Sequence, residues 1–400
     1  MFHNTPVHTG WKIVALLWFA FFLNYVDRQV AFSIFPALRK DLGFTAVELG
    51  LVGTVFLWVY SLTMPVAGRL ADIWSRKNLV LGSLVLWSLA TWGTAISESV
   101  GSFLFWRGAM GVTEALYFPA AVALIAGAHG EQTRSRALGL HQSAQLFGGA
   151  VGGWYGGWSA DVIGWQRGLE WLAGLGVVYA AVLWFTLRET PRRTVERSVQ
   201  DGGTGWKSGA MQLLLTCFFF FCGVLWMLYA WLPDHVYSRL GLSMTASGVA
   251  GTLALQASSF LGILAGGYLG DRTGRRWVVA AAGLLLSPMF AYAAFAADSL
   301  LGVTLAATGF GLTGGLLMAN VFACAYEAVG EKHFGLASGL LNAAGGLAGG
   351  AGMFLAGYFR DSLGVSTLVF TAAVPTMICA AILLKVALRR PAAVPQLMNP

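Results

Sequence analysis

Four charged side chains stand where the sequence around them is almost uniformly apolar: Asp27 and Arg28 within LNYVDRQV (23–30), and Arg107 and Glu114 within FWRGAMGVTEALYFPA (105–120). Charge removed from water is costly unless it is paired, so residues of these types at such positions point to chemistry on ions, protons or an anionic substrate. Seven residues separate Arg107 from Glu114, close to two helical turns, so on a helix both project to one side. The two acids and two arginines sum to zero, which a low-dielectric interior tolerates. A cluster that only staples helices together is the competing reading, and it is disfavoured because a buried ion pair is a poor source of stability.

The elements that must position these groups follow from composition. Of 400 residues, 57% are hydrophobic and 11% charged, against about 25% charged in an ordinary soluble domain. Mean hydropathy is +0.67, with 52 glycines, 26 phenylalanines and 16 tryptophans, the profile of helices that dissolve in lipid and pack closely there. A soluble enzyme is excluded, and the chain is not expected to be an enzyme of any kind. A helix needs about 20 apolar residues to cross the hydrocarbon, and twelve such runs can be marked off. The first, from Trp11, is too long for the core of a cleavable signal and is expected to remain as a span. The expected fold is an all-α polytopic membrane protein of two six-helix bundles, 1–187 and 210–400, joined by the polar linker 188–209. With both termini inside, 18 of the 25 basic residues fall on the cytoplasmic side, five outside, and Arg28 and Arg107 within the membrane. The net charge of +7 therefore reports topology and gives no reason to expect nucleic acid as a partner.

The halves are copies. GRLADIWSRK (68–77) aligns with GYLGDRTGRR (267–276), placing Asp72 and Asp271 199 residues apart, and SADVIG (159–164) aligns with FRDSLG (359–364). Parallel six-helix repeats are a carrier architecture in which substrate binds near the midplane. The doubled G-x-L-x-D-x-x-x-R-[RK] loop resembles the signature of the major facilitator superfamily, along essentially the whole chain. The resemblance implies a gating motif built on Asp72 and Arg76 in the first copy and Asp271 and Arg275 in the second. A purely topogenic role for the arginines is the alternative.

A narrower resemblance follows from N-Y-x-D-R (24–28) in the first span together with the stretch from Arg107 through Glu114 to Pro119 in the fourth. These are similar to the anion:cation symporter family, which includes bacterial sugar-acid/proton symporters. The resemblance implies that Asp27 and Glu114 bind protons, that Arg107 tunes the glutamate and that Arg28 receives the substrate carboxylate. Tyr25, Tyr60, Gln145 and Asn342 would then supply hydrogen bonds to the substrate. Where that family carries Trp-Phe-Pro after the fourth span, this chain reads GAHGEQTRSRA (127–137). Spinster-like lipid and lysolipid carriers share N-Y-x-D-R and a fourth-span glutamate, and are the alternative. A proton-coupled drug antiporter is disfavoured, since Gly149 stands where such proteins have proline.

The resemblance therefore implies import of a small organic acid anion, for instance a sugar acid, coupled to protons. An anion that takes Arg28 removes a partner from a buried acid, and a proton on Asp27 or Glu114 restores neutrality. Protons are the coupling ion expected; no cofactor and no metal are. A monomer in a bacterial inner membrane is the expected form.

Several other patterns have structural readings. Gly309-x-Gly311-x-x-Gly314 lies inside an apolar run with no strand before it, so helix packing is expected instead of dinucleotide binding. The glycines of GGAVGGWYGG (148–157) suit close helix contact. His129, His141, His235 and His333 are expected at solvated span ends, Glu327 at a solvated helix end, and the four cysteines as free buried thiols.

Overall fold

A computed structural model describes residues 7–190, 207–329 and 333–389, and among these there is no strand. The elements in order are α1 (Val7–Ser33), α2 (Phe35–Leu42), α3 (Ala46–Ile73), α4 (Arg76–Ala95), α5 (Val100–Ala115), α6 (Tyr117–Ala128) and α7 (Glu131–Val162). They continue as α8 (Trp165–Thr186), α9 (Gly209–Leu240), α10 (Met244–Thr273), α11 (Arg276–Ala296), α12 (Leu300–Val329), α13 (Phe334–Leu363) and α14 (Val365–Leu388).

Two of the boundaries are proline breaks within what the sequence marks as single runs. Pro119 has no N–H for the Ala115 carbonyl and its ring crowds that oxygen, so α5 ends at Ala115 and α6 resumes the same span. Pro36 does the same at the start of the short α2, which stops at Gly43 in the left-handed conformation (φ 70°). Eleven helices among the described residues are long and apolar enough to cross a membrane, with α5 and α6 counted together as Val100–Ala128. The remaining long helix, α7, spans 32 residues, and its first half carries Glu131, Arg134, Arg136 and Gln145, which dilute its apolar stretch. Large apolar side chains face outward, among them Phe185 (84% exposed) and Leu62 (73%), a liability in water and the normal state against lipid.

The chain divides into two compact units, Met1–Arg197 with Ser243–Val249, and Ser198–Leu242 with Ala250–Pro400. The division falls inside the expected linker 188–209, of which residues 191–206 lie outside the described residues. It departs from the sequence boundaries in assigning Ser243–Val249, around the start of α10, to the first unit.

Within the first unit, the position of α1 is fixed by glycines on α7. A Cβ on Gly148 would lie 2.5 Å from the Phe22 carbonyl oxygen, and one on Gly152 2.6 Å from that of Val26. At four-residue spacing these hydrogens-for-side-chains let α1 backbone rest directly on α7. From other sides, the Tyr179 hydroxyl donates to the Leu16 carbonyl (2.7 Å), the Tyr117 hydroxyl to the Leu17 carbonyl (2.6 Å) and Trp18 Nε1 to Ser143 Oγ (3.0 Å). The helix that bears Asp27 and Arg28 is thus clamped one to three turns below them. Close approach of α3 and α5 depends in the same way on Gly111, whose Cβ would meet the Phe56 carbonyl at 2.7 Å.

Replacing Gly152 with leucine should force α1 off α7 and lower the thermal midpoint of the purified protein by roughly 5 °C or more. Gly139→Ala, on the same helix but with open space around it, should leave the midpoint unchanged or slightly raised. Equal midpoints for Gly152→Leu and wild type would refute the close-packing account.

Candidate functional site

All four charges singled out in the sequence lie buried in the first unit: Asp27 is 2% exposed, Arg28 5%, Arg107 1% and Glu114 1%. Arg28 Nε donates to Glu114 Oε2 at 2.7 Å, joining α1 to the last turn of α5. Three aromatic rings surround the same guanidinium, with Tyr25, Phe56 and Tyr60 centroids at 4.7, 4.8 and 4.7 Å. The half-buried Tyr25 and Tyr60 therefore meet Arg28 through their ring faces. On the other side of α1, the Thr91 hydroxyl of α4 donates to Asp27 Oδ2, and the Trp87 carbonyl lies 3.0 Å from the same hydroxyl.

Arg107 is placed differently. It lies within electrostatic reach of both Asp27 and Glu114, but its direct contacts are the Val52 carbonyl (3.5 Å from Nε), Met110 Sδ (3.0 Å from Nη1) and the Phe56 ring (4.9 Å). Arg107 Nη2, Asp27 Oδ1 and Glu114 Oε1 are buried with no hydrogen-bond partner among the described residues. The arginine bonded to Glu114 is thus Arg28 from another helix, and not Arg107 two turns away on the same one. Such a cluster can bind an anion on a guanidinium and hold a proton on a carboxylate, provided the two events keep its charge near zero.

Of the remaining residues expected to meet a substrate, Gln145 is half-buried on α7 in the first unit, whereas Asn342 lies on α13 in the second and donates to the Ser338 carbonyl at 2.9 Å. Thr91, Phe56 and Asn24, which sits beside Glu114, belong to the cluster and were not singled out as functional. Asn24 alone carried a signal, an amide inside the N-Y-x-D-R motif.

His141 is not at a solvated span end: it is fully buried, stacks on Phe21 (4.6 Å, 10°), and its Nε2 lies 3.1 Å from the Tyr117 hydroxyl. Since that hydroxyl gives its single proton to Leu17, His141 must carry hydrogen on Nε2 and donate to it. Nor are buried charges confined to the first half. Asp234 of α9 is 1% exposed and forms an ion pair with Arg360 of α13, whose guanidinium lies over the Trp231 ring at 5.0 Å.

The loop motif also differs between its copies. Asp271 pairs with Arg276 (2.6 Å), which reaches Glu327 at 3.6 Å, while Arg275 is exposed at the N-cap of α11. The ion-pair partner of Asp271 is thus Arg276, the residue after the motif's Arg275. Glu327 accepts from Trp277 Nε1 at 2.7 Å, so it is engaged and not merely solvated. In the first copy Asp72 is exposed at the end of α3, and Arg76 Nη1 donates to the Ala123 carbonyl at 3.3 Å. The glycine fingerprint is helix packing, since a Cβ on Gly311 would lie 2.5 Å from the Leu255 carbonyl. All four cysteines are free and buried.

Removing one member of a buried pair strands the other, at a cost of about 3–5 kcal/mol. Arg28→Met should therefore lower the thermal midpoint more than the double change Arg28→Met with Glu114→Gln, and Arg360→Met more than Arg360→Met with Asp234→Asn. Additive effects in either cycle would show that the pair is not coupled.

Comparison with known proteins adds the family. The sequence profile of the Major Facilitator Superfamily, a family of non-enzymatic transporters, matches residues 17–265 and 214–398. Human protein spinster homolog 1 is 34% identical over 255 residues, which is 62% of this chain but 45% of that protein, so the chain matches less than half the length of this relative. The D-galactonate transporter of Escherichia coli O6:H1 is 23% identical over 406 residues, covering 92% of this chain and 94% of that one. The "Probable sulfoacetate transporter SauU" of Cupriavidus necator is 26% identical over 398 residues (91% and 90%). A crystal structure of a bacterial homolog of the human lysosomal transporter spinster, inward-facing and occupied, superposes with a TM-score of 0.81 at 17% identity, over 94% of this chain and 96% of that one, a likeness of fold. With profile matches across nearly all its length and that fold, the chain is a multi-pass membrane protein of the Major Facilitator Superfamily.

Proposed function

We propose that this chain is a secondary carrier that imports a small organic acid anion, with sugar acids as the leading class, together with protons. The observation that carries the reading is the neutral, buried set of two acids and two arginines in which Arg28 is bonded to Glu114. An anion that takes Arg28 displaces Glu114, and an ionised carboxylate left unpaired at that depth is costly. A proton on Glu114 or Asp27 removes the cost and returns the loaded site to neutrality. Anion and proton then move together when the two halves rock in alternating access.

In this scheme Arg107 steadies whichever carboxylate remains charged, and Tyr25, Tyr60, Gln145 and Asn342 serve the hydroxyl groups of the substrate. The loop groups Asp72, Arg76, Asp271 and Arg275, joined by Arg276, latch and release one end of the helices. Relatives matched over nine-tenths of the chain support an organic anion: one is named for a sugar acid, the other for a sulfonated carboxylic acid. The excess of basic residues in alternate loops supports both termini facing the cytoplasm of a bacterial inner membrane. A second reading, a lysolipid carrier, draws on the 34% identity to human spinster homolog 1.

Purified protein in proteoliposomes, offered D-galactonate, sulfoacetate or lysophosphatidylcholine, separates these readings. Accumulation of one of the two anions should rise as the outside is made more acidic. Glu114→Gln should abolish accumulation driven by protons while counterflow of the same anion persists. Transport of the lysolipid with neither anion moved, or undiminished accumulation by Glu114→Gln, would overturn the proposal.

A further inference from the structure

Phe56 touches both buried guanidinium groups. Their central carbons lie 4.8 Å (Arg28) and 4.9 Å (Arg107) from its ring centroid, and the residue is 1% exposed. Two cations close together in a dry interior repel each other, and the electron-rich face of an aromatic ring is a source of attraction that brings no net charge. For Arg28 the ring is one partner among several, beside Glu114, Tyr25 and Tyr60. Arg107 depends on it far more. Its other direct contacts are a carbonyl at 3.5 Å and a thioether sulfur at 3.0 Å, and Nη2 has no partner among the described residues. Gly111 brings α5 against the Phe56 backbone, and Tyr60 stacks on the Phe56 ring at 5.9 Å.

We propose that Phe56 is a positioning residue for anion recognition, its ring holding Arg28 and Arg107 as a pair and partnering Arg107 in place of a bonded carboxylate. When an anion takes Arg28, Glu114 then has a second guanidinium within electrostatic reach, and Arg107 has a free donor to meet it. A carboxylate bonded to Arg107 in place of the ring would leave the site short of that reserve. The inference rests on the reading of the site as an anion carrier, and adds a residue that neither the motif nor the charge pattern marks.

The test uses the full-length protein with Phe56 replaced by 4-fluoro-, 3,5-difluoro- and pentafluorophenylalanine, which hold the ring's shape while progressively withdrawing its negative face. Phe56→Leu removes the ring, and Phe56→Tyr retains it. Without ligand, the thermal midpoint should fall stepwise along the fluorinated series. Apparent affinity for D-galactonate or sulfoacetate should weaken in the same order, reaching about tenfold for the pentafluoro ring and exceeding it for Phe56→Leu, while Phe56→Tyr stays within about twofold. A role in packing alone would leave the 4-fluoro and 3,5-difluoro rings at wild-type values, because one or two fluorines add little volume, and a flat response to these two in either readout overturns the proposal. If wild-type protein binds neither anion, the carrier reading falls and the role in recognition falls with it; the midpoints test the ring contacts separately.

Discussion

An ion pair between Arg28 and Glu114, sealed in an apolar bundle, is the constraint around which the first half of this molecule is arranged. Either charge alone would be too costly to keep there, so the two helices that bear them must be held within bonding distance at all times that the pair exists. Close packing supplies that hold. Glycines 148 and 152 on α7 let α1 settle backbone to backbone, Gly111 brings α5 onto α3, and Pro119 ends α5 one residue past Glu114. Hydroxyls of Tyr117 and Tyr179 fasten successive carbonyls of α1 below the site. The neutrality of the cluster couples its members: a change of charge on one alters what the others must carry.

The duplicated sequence has not produced duplicated chemistry. The first unit gathers four charges from α1 and α5 into one buried cluster, whereas in the second Asp234 of α9 pairs with Arg360 of α13. Trp231 lies against the guanidinium of Arg360 and donates to the Met353 carbonyl at 3.3 Å, so it too binds α9 to α13. The loops have diverged as well. Where the first copy sends Lys77 Nζ to the Trp184 carbonyl at 2.7 Å, the second has Arg276 bridging Asp271 and Glu327. Those exposed pairs contribute little to stability, which leaves them free to break and re-form.

Much of the fold was legible because lipid imposes a simple rule on sequence: long apolar runs, punctuated by polar loops, with basic residues biased to one side. The cluster was legible because charge in such runs is rare. Partnership was not. The seven-residue spacing puts Arg107 and Glu114 on one side of their helix, yet spacing within a helix says nothing about a residue arriving from another, and Arg28 is the one bonded to Glu114. Phe56 and Thr91 were invisible because phenylalanines and threonines occur throughout apolar helices, and only position relative to Arg107 and Asp27 distinguishes them. His141 misled because its flanking residues are polar, which dilutes the apolar stretch of α7 although the helix continues inward. Asp234 carried no mark as a buried charge because it lies at the edge of an apolar run, where six more residues of α9 carry the helix to Leu240.

The central claim is that anion binding and proton uptake are one event at one site. Calorimetric titration of the purified protein with D-galactonate and with sulfoacetate, repeated at one pH in buffers of differing ionisation enthalpy, measures that linkage directly. The account predicts that the observed binding enthalpy of whichever anion binds varies linearly with buffer enthalpy, with a slope corresponding to uptake of about one proton or part of one at each pH. An anion that binds with zero slope across the pH range from 5 to 9 would contradict it.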